Sequence, residues 1–141
     1  MLNTVKEGDV LPAIEQHIDQ DRIMQWARIS GDYNRLHVDP DYAKQTRFKG
    51  TIAHGPLSLA FLNQLMMRCF DREWVLGGRL MDVRFTAPIR PGDRISIGGT
   101  IIRIYREGAD RFAECELAIR KSDGETAVLG RSVCRITGEK E

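Results

Sequence analysis

One segment, residues 56–70, most constrains how the chain folds: it reads PLSLAFLNQLMMRCF and is apolar on nearly every side. A surface helix carries its apolar residues in one stripe, whereas a helix that is apolar all round must be enclosed by other elements. A chain of 141 residues is enough for one ordinary domain but not for two with substantial cores. The sequence therefore predicts a single domain, 1–141, built around a central helix.

Two further helices are predicted in the first half of the chain. Residues 19–30 carry apolar side chains at helical spacing, with Asp19 as the N-cap and Gly31 at the end. A second, short helix is predicted to open at Asp39-Pro40, because Asp is a good N-cap and Pro is favoured at the first helical position.

After Gly77-Gly78 the apolar residues alternate with polar ones, which is typical of strands. The alternation changes parity near Gly98-Gly99 and predicts a bulge there, and Ser122-Asp123-Gly124 predicts a hairpin turn. The expected order is therefore helices first, then four antiparallel strands ending at 128–136. Separate runs of helices and strands indicate an α+β fold, with a curved antiparallel sheet wrapped around the central helix. One small sheet leaves part of that helix uncovered, so we expect a homodimer.

Composition excludes several kinds of partner. The chain has 21 Lys and Arg against 20 Asp and Glu, and a net charge of +1 gives no general attraction to nucleic acid or to an anionic membrane. No apolar run reaches the ~18 residues that a membrane span needs, and the N-terminus has no apolar signal core. Cys69, Cys115 and Cys134 lack metal-ligand spacing and lie among apolar residues. We therefore expect buried free thiols and a cytoplasmic protein.

The densest polar segment, residues 30–40, places Asp32 and His37 five residues apart. On a helix these side chains would diverge, but in a loop they can converge, and Gly31 and Asn34 tolerate the backbone angles of such a loop. A carboxylate and an imidazole in one pocket can hold a water molecule and move its protons. Alternatively, Asp32 caps a turn and the histidine is structural. Spacing alone favours the turn and leaves both interpretations open.

A second candidate is His54-Gly55, just before the central helix. A helix N-terminus presents free N–H groups and partial positive charge, and a glycine lets a ligand oxygen approach the backbone. Such an arrangement would suit the carbonyl oxygen of a thioester. Alternatively, this is a plain turn into the helix, with His54 packed beneath it.

Together these segments resemble the MaoC-like dehydratases, the (R)-specific enoyl-CoA hydratases of the hot-dog fold. The hydratase motif of that family, Ser/Gly-x-Asp-x-Asn-Pro-Leu/Ile/Val-His, reads SGDYNRLH at residues 30–37. The His-Gly pair that opens the family's central helix follows seventeen residues later as His54-Gly55. The sequence PIRPGD at 88–93 is similar to the family's turn between strands.

The resemblance implies reversible hydration of a trans-2-enoyl thioester to an (R)-3-hydroxyacyl thioester, carried by coenzyme A or acyl carrier protein, with no cofactor and no metal. Asp32 and His37 would hold the water at C3, with Asp32 as general base. The Gly55 amide would bind the thioester oxygen beside His54, and Asn34 would shape the loop. Dimers are usual in the family.

Two positions depart from the family pattern. Arg35 stands where the family has proline, and it either contacts an acidic group of the substrate or faces solvent, the interpretation we favour. Asn63 stands where members often place a serine that bonds the catalytic carboxylate; it either replaces that donor or faces outward. Basic residues near the expected mouth, Lys44, Arg47 and Lys49, either steer the phosphates of coenzyme A or form a solvated face.

Two other functions remain as alternatives. A hot-dog acyl-thioesterase generally carries its carboxylate on the central helix, and residues 56–70 contain no Asp or Glu. A non-catalytic acyl-thioester-binding subunit would lack a residue of the dyad, and both are present. The sequence contains no nucleophile-elbow serine motif, no phosphate-binding glycine-rich loop and no dinucleotide fingerprint.

Overall fold

The computed structural model describes residues 4–137, which form five strands and five helices. The strands are β1 (Val10–His17), β2 (Arg79–Phe85), β3 (Arg94–Glu107), β4 (Asp110–Lys121) and β5 (Thr126–Ile136). The helices are α1 (Gln20–Ser30), α2 (Arg35–Val38), α3 (Pro40–Lys44), α4 (Gly55–Phe70) and α5 (Arg72–Gly77). The predicted α+β class is confirmed.

The five strands form one antiparallel sheet in the order β1-β3-β4-β5-β2, and the sheet curves around α4. Helix α4 contacts β1, β3, β4 and β5. Alternate residues of β4 are completely buried in the core between sheet and helix: Ala113, Cys115, Leu117 and Ile119. From the other side α4 contributes Leu62, Leu65 and Met66, also completely buried. The predicted sheet wrapped around a central helix is therefore present.

The predicted helix boundaries in the first half are confirmed by their caps. The Asp19 carboxylate accepts a hydrogen bond from the backbone N–H of Arg22, and α1 ends at Gly31, whose φ of 76° is left-handed. The Asp39 carboxylate accepts from the N–H of Tyr42, and Pro40 is the first residue of α3.

The predicted order of helices followed by four strands is wrong, because β1 precedes α1 and is a fifth strand. Leu11 of β1 pairs with Gly99 and Ile14 pairs with Ile97, so that Pro12 and Ala13 share the place opposite Gly98. This bulge breaks the alternation of apolar residues along β1. As a result, the strand is not visible as a period of two in the sequence.

The bulge predicted within β3 lies elsewhere. Pairing of β3 with β4 runs without a break through Gly98 and Gly99, and the register shifts between Ile101 and Arg103. Ile102 is thus the extra residue that changes the parity of β3, and it is 43% exposed. The Ser122–Gly124 turn between β4 and β5 is confirmed, with Gly124 at a φ of 93°.

Helix α4 is not enclosed on every side. Eight of its sixteen residues are buried, whereas a stripe at helical spacing is exposed or half-buried: Pro56, Ala60, Asn63 and Met67. Within residues 4–137, neither α4 nor another helix is long and apolar enough to cross a bilayer. An edge strand, β2, lies free on one side and carries Phe85, which is 55% exposed.

Candidate active site

A tight loop between α1 and α2 presents Asp32. After the left-handed Gly31 ends α1, the Asp32 carboxylate accepts a hydrogen bond from the N–H of Asn34 at 3.0 Å. The side-chain oxygen of Asn34 in turn accepts from the N–H of Leu36 at 3.0 Å and caps α2. These local bonds set the loop conformation from the sequence itself. Asp32 therefore has one oxygen bound to the loop and stays exposed to solvent.

His37 lies on α2 with its tautomer set by a backbone carbonyl. Its Nδ1 is 2.7 Å from the carbonyl oxygen of Ile52, and because a carbonyl only accepts, Nδ1 carries the hydrogen. The other nitrogen, Nε2, is then free to accept or donate a proton. The main chain of His37 is also held, because the Gln20 amide donates to its carbonyl oxygen at 2.8 Å. Thr51 donates to the same Gln20 side chain at 2.6 Å.

His54 joins the loop to the start of α4. It is the N-cap residue of α4 and is 1% exposed. Its Nε2–H donates to the main-chain carbonyl oxygen of Asp32 at 2.9 Å. Its ring stacks on His37 with 3.9 Å between centroids and 26° between planes. Its Nδ1 is buried and has no hydrogen-bond partner among the described residues.

The surroundings of His54 favour its neutral form. Burial lowers the pKa of His54 from its usual value of 6.5, and the adjacent His37 acts in the same direction. The Asp32 carbonyl raises it, but by less than burial lowers it. A protonated His54 would also carry a buried Nδ1–H with no acceptor, which is costly.

Asp32, His37 and His54 form one cluster, in which one side-chain oxygen or nitrogen from each residue lies within 4.8 Å of the others. An imidazole binds a metal ion in its ring plane, about 2.0–2.1 Å from the nitrogen. The planes of the two stacked rings are nearly parallel, so one ion cannot lie in both. A single water molecule, which hydrogen-bonds over such distances, fits between the carboxylate and His37 better than a metal does.

A cavity of about 370 Å³ opens beside this cluster. Its polar lining includes His37, His54 and Ser58, and its apolar lining includes Ile52, Phe85 and Val128. Gly55 also lines it, in the first turn of α4, where backbone N–H groups have no intrahelical acceptor. A Cβ at Gly55 would lie 3.2 Å from the Phe85 ring, so glycine allows this close packing.

Three of the predicted site residues, His37, His54 and Gly55, line the cavity, and Asp32 joins them through its cluster with the two histidines. Asn34 lies in the same loop, where its side chain caps α2. The expectation that Asn63 bonds the catalytic carboxylate is wrong. Its side-chain oxygen accepts from Trp74 Nε1 at 2.6 Å, and its place eight residues beyond Gly55 is about 12 Å further along α4.

Arg35 lies outside the cavity lining. Its guanidinium bonds the Asp39 carboxylate at 2.9 and 3.0 Å, and it lies over the Tyr42 ring at 4.5 Å. Its side chain is 65% exposed. The N–H of Tyr42 and then Arg35 hold the pKa of Asp39 below its usual range. This placement supports the solvent-facing interpretation of Arg35.

Two groups in the site were not predicted from the sequence. Ser58 lines the cavity one helical turn after Gly55, and Phe85 lines it from the end of β2. The only signal for Ser58 was a polar residue within the apolar first half of the helix. Phe85 gave none, because its place beside Gly55 depends on the packing of β2 against α4.

The cysteines take no part in this site. All three are free and buried, as predicted. Burial raises the pKa of Cys115 to about 11 and that of Cys134 to about 12. Such thiols stay protonated at neutral pH and are poor nucleophiles.

Two known proteins with similar sequences are an enoyl-CoA hydratase and a 3-hydroxyacyl-thioester dehydratase. The (R)-specific enoyl-CoA hydratase of Rhodospirillum rubrum is 33% identical over 112 residues, covering 73% of this chain and 70% of that protein. The 3-hydroxyacyl-thioester dehydratase Z of Mycobacterium tuberculosis is 32% identical over 90 residues. That match covers 62% of this chain and 60% of the relative.

Solved structures agree on the fold. The unliganded R-hydratase PhaJ1 of Pseudomonas aeruginosa superposes with a TM-score of 0.80 at 23% identity, covering 96% of this chain and 84% of that one. At this identity the likeness concerns the fold alone, which is the hot-dog fold. The family model described as MaoC like domain matches residues 3–109. The chain belongs to the MaoC-like family.

Proposed function

We propose that this chain catalyses the reversible hydration of a trans-2-enoyl thioester to an (R)-3-hydroxyacyl thioester. One observation carries the proposal: the Asp32 carboxylate and His37 lie together beside a cavity that reaches the first turn of α4. The names of the two relatives, an (R)-specific enoyl-CoA hydratase and a 3-hydroxyacyl-thioester dehydratase, support it. We also propose that residues 1–141 act as a single domain.

In the hydration direction, Asp32 acts as the general base. Its carboxylate takes a proton from a water molecule held between it and His37, and the oxygen of that water forms a bond to C3. The electrons of the C2–C3 double bond move towards the carbonyl oxygen at C1. A positioned base of this kind contributes about 10²–10⁴-fold to the rate.

The proton that the Asp32 carboxylate has taken passes to His37 Nε2 and from there to C2, so that both groups return to their starting state. The Nδ1–H of His37 is held by the Ile52 carbonyl, so Nε2 is the nitrogen that exchanges protons with substrate and water. One water is thereby added, with hydroxyl at C3 and hydrogen at C2, and dehydration reverses each step.

The start of α4 stabilises the charge that develops on the thioester oxygen. The N–H of Gly55 lies in the first turn, and the partial positive charge of a helix N-terminus acts on the same oxygen. Pro56 has no N–H, so Gly55 is the donor available at that point of the turn. His54 and Asn34 act as positioning residues, His54 through the Asp32 carbonyl and Asn34 through the cap of α2.

We further propose a homodimer. The stripe of α4 at Pro56, Ala60, Asn63 and Met67 and the free edge of β2 are surfaces that a second copy would cover. The last strand, β5, lies inside the sheet between β4 and β2, so a second copy cannot pair with it. The free thiols fit a reducing compartment, and on that ground we place the protein in the cytoplasm.

The test is a hydration assay with crotonyl-CoA. We expect the ultraviolet absorbance of the enoyl thioester to fall without release of free thiol, and chiral analysis to give the (R)-3-hydroxy product. Release of free coenzyme A would indicate the thioesterase alternative. No change in absorbance at micromolar enzyme would contradict the proposal.

A further inference from the structure

Three cationic residues lie on the segments that line the cavity: Arg47 is itself a lining residue, and Lys49 and Arg90 directly follow the lining residues Phe48 and Ile89. Arg47 lines the cavity and is exposed, whereas His54 and Ser58 at the other end are buried. The Arg90 guanidinium lies over Gly50, with Nη1 3.6 Å from where a Cβ at Gly50 would be. Lys49 lies between them in the chain, at a left-handed φ of 59° that non-glycine residues seldom adopt.

These cations are brought together by the fold. The segment 47–53 is joined to the segment 88–90 by a hydrogen bond from the N–H of Ala53 to the carbonyl oxygen of Ile89, at 2.7 Å. Both segments line the cavity, through Phe48 on one side and Pro88 on the other. Arg47 and Arg90, 43 positions apart in sequence, are therefore carried by two joined segments that both line the cavity.

The charge at this opening is not balanced by acidic neighbours. In the part of the chain that the structure describes, no carboxylate oxygen lies within 4 Å of the charged groups of Arg47, Lys49 or Arg90. Lys44, by contrast, lies 3.8 Å from Asp41. No Asp or Glu lines the cavity. An anion that binds these three cations would therefore have no carboxylate partner to displace.

We propose that Arg47, Lys49 and Arg90 form a phosphate-binding rim that holds the carrier arm of the thioester. A cavity of about 370 Å³ is at the small end of ligand pockets and suits an acyl group with part of the pantetheine arm. The phosphates then lie outside it, at the rim. This inference rests on the proposed function, because it assumes that the thioester enters by this opening to reach the dyad.

The chemistry of the three side chains fits a phosphate ester. A guanidinium donates paired hydrogen bonds to phosphate oxygens, and two arginines on facing segments can bind one group from both sides. The ring of Phe48 lies 4.8 Å beneath the Arg47 guanidinium and holds it at the opening. Two sources carry such phosphate: coenzyme A, and the phosphopantetheine arm of a carrier protein.

Binding of free ligands tests the rim without any turnover. Isothermal titration calorimetry would compare coenzyme A, 4′-phosphopantetheine and pantetheine on the full chain. We expect Arg47→Gln and Arg90→Gln each to weaken coenzyme A binding about 3–10-fold and to leave pantetheine binding unchanged. Arg47→Lys should keep most of the affinity, because it keeps the charge. Raised salt should weaken coenzyme A binding to the wild type more than to the variant that carries both Arg47→Gln and Arg90→Gln.

The outcomes separate the two sources and the two proposals. If the rim variants lose equal affinity for coenzyme A and for 4′-phosphopantetheine, the rim binds the phosphate that both ligands share. If they lose affinity for coenzyme A alone, the rim binds the phosphates of its nucleotide. The control is Arg120→Gln, an exposed arginine on the outer face of β4, which should change nothing. The phosphate-binding rim would be contradicted if the rim variants bound coenzyme A as the wild type does, or if they lost as much affinity for pantetheine as for coenzyme A. Rim-dependent binding without hydration of crotonyl-CoA would instead overturn the proposed function alone.

Discussion

The ring of His37 stacks on the ring of His54, with 3.9 Å between their centroids, while His54 also donates to the Asp32 carbonyl. The three residues are thus coupled through one imidazole that itself faces no open solvent. A positive charge on either ring opposes a charge on the other. Burial lowers the pKa of His54 and so favours the neutral form of that ring beside His37.

Loss of either dyad residue should abolish most of the proposed activity. We expect Asp32→Asn and His37→Gln each to lower kcat for crotonyl-CoA hydration by about 10²–10⁴-fold, because a positioned acid or base supplies that factor. Circular dichroism should show unchanged folding, since Asp32 is exposed and His37 half-buried. The control is Asp41→Asn, an exposed carboxylate on α3. Near-full activity in either dyad variant would refute the assignment.

His54 should make the protein less stable in mild acid. Its pKa in the folded state is below 6.5, whereas in the unfolded chain it takes up a proton near that value. The unfolded state therefore binds more protons as the pH falls below about 6.5, and the free energy of unfolding decreases. Urea midpoints between pH 7.5 and 5 should fall less in His54→Phe than in the wild type.

The comparison for this pH effect is His17→Gln, which removes an exposed histidine of β1. Its midpoints should follow the wild-type pH dependence. His54→Phe keeps a ring against His37 but removes the donor to the Asp32 carbonyl, so we expect reduced kcat as well. If the urea midpoint of His54→Phe changed with pH as steeply as that of the wild type, His54 would not be the cause of the acid destabilisation.

The elements that could be predicted are those whose signal is local. The caps of α1 and α3 follow from Asp19, Gly31 and Asp39, and α4 follows from its length and apolar character. Helix α2 has four residues and α5 has six, too few to show a helical period. Strand β1 was hidden by Pro12 and the bulge opposite Gly98, which depends on its partner strand.

In the site, too, the local contacts could be predicted and the long-range contacts could not. The convergence of Asp32 and His37 was predictable because both belong to one short segment, a loop that leads into α2 and is set by hydrogen bonds of neighbouring residues. His54 contacts Asp32, 22 residues away in sequence, through the packing of α4, and the spacing of the two residues in sequence does not predict that contact. Asn63 was assigned from a family position, but on this helix its orientation gives it Trp74 as partner.

The dimer should depend on the uncovered stripe of α4. We expect light scattering at micromolar concentration to give twice the chain mass for the wild type. Ala60→Glu places a charge on the stripe and should shift the protein towards monomer, because an unpaired charge in an interface is strongly unfavourable. Arg68→Glu, exposed on another side of the same helix, should stay dimeric. A monomeric wild type would contradict the proposed assembly.

Two adjacent glycines of β3 should respond differently to alanine. A Cβ at Gly99 would lie 2.6 Å from Leu117 Cδ2 and 2.7 Å from the Glu116 carbonyl oxygen, so we expect Gly99→Ala to destabilise by about 1–3 kcal/mol. A Cβ at Gly98 meets only Ala13 Cβ, at 3.8 Å. Gly98→Ala should be neutral or stabilising by up to about 1 kcal/mol in urea unfolding. Equal effects at the two positions would contradict the strand packing.

Arg35 should not select the substrate. Its guanidinium is engaged by Asp39 and Tyr42 on the exposed side of α2, away from the cavity lining. Arg35→Pro should fold, because Arg35 is the first residue of α2 and Asn34, with ψ of 130°, has the conformation preferred before proline. The ratio of kcat/KM for crotonyl-CoA to that for an acidic enoyl thioester should stay within about twofold of the wild type, a change of less than about 0.4 kcal/mol. A loss of preference for the acidic thioester in Arg35→Pro would show instead that Arg35 leaves Asp39 to bind the substrate.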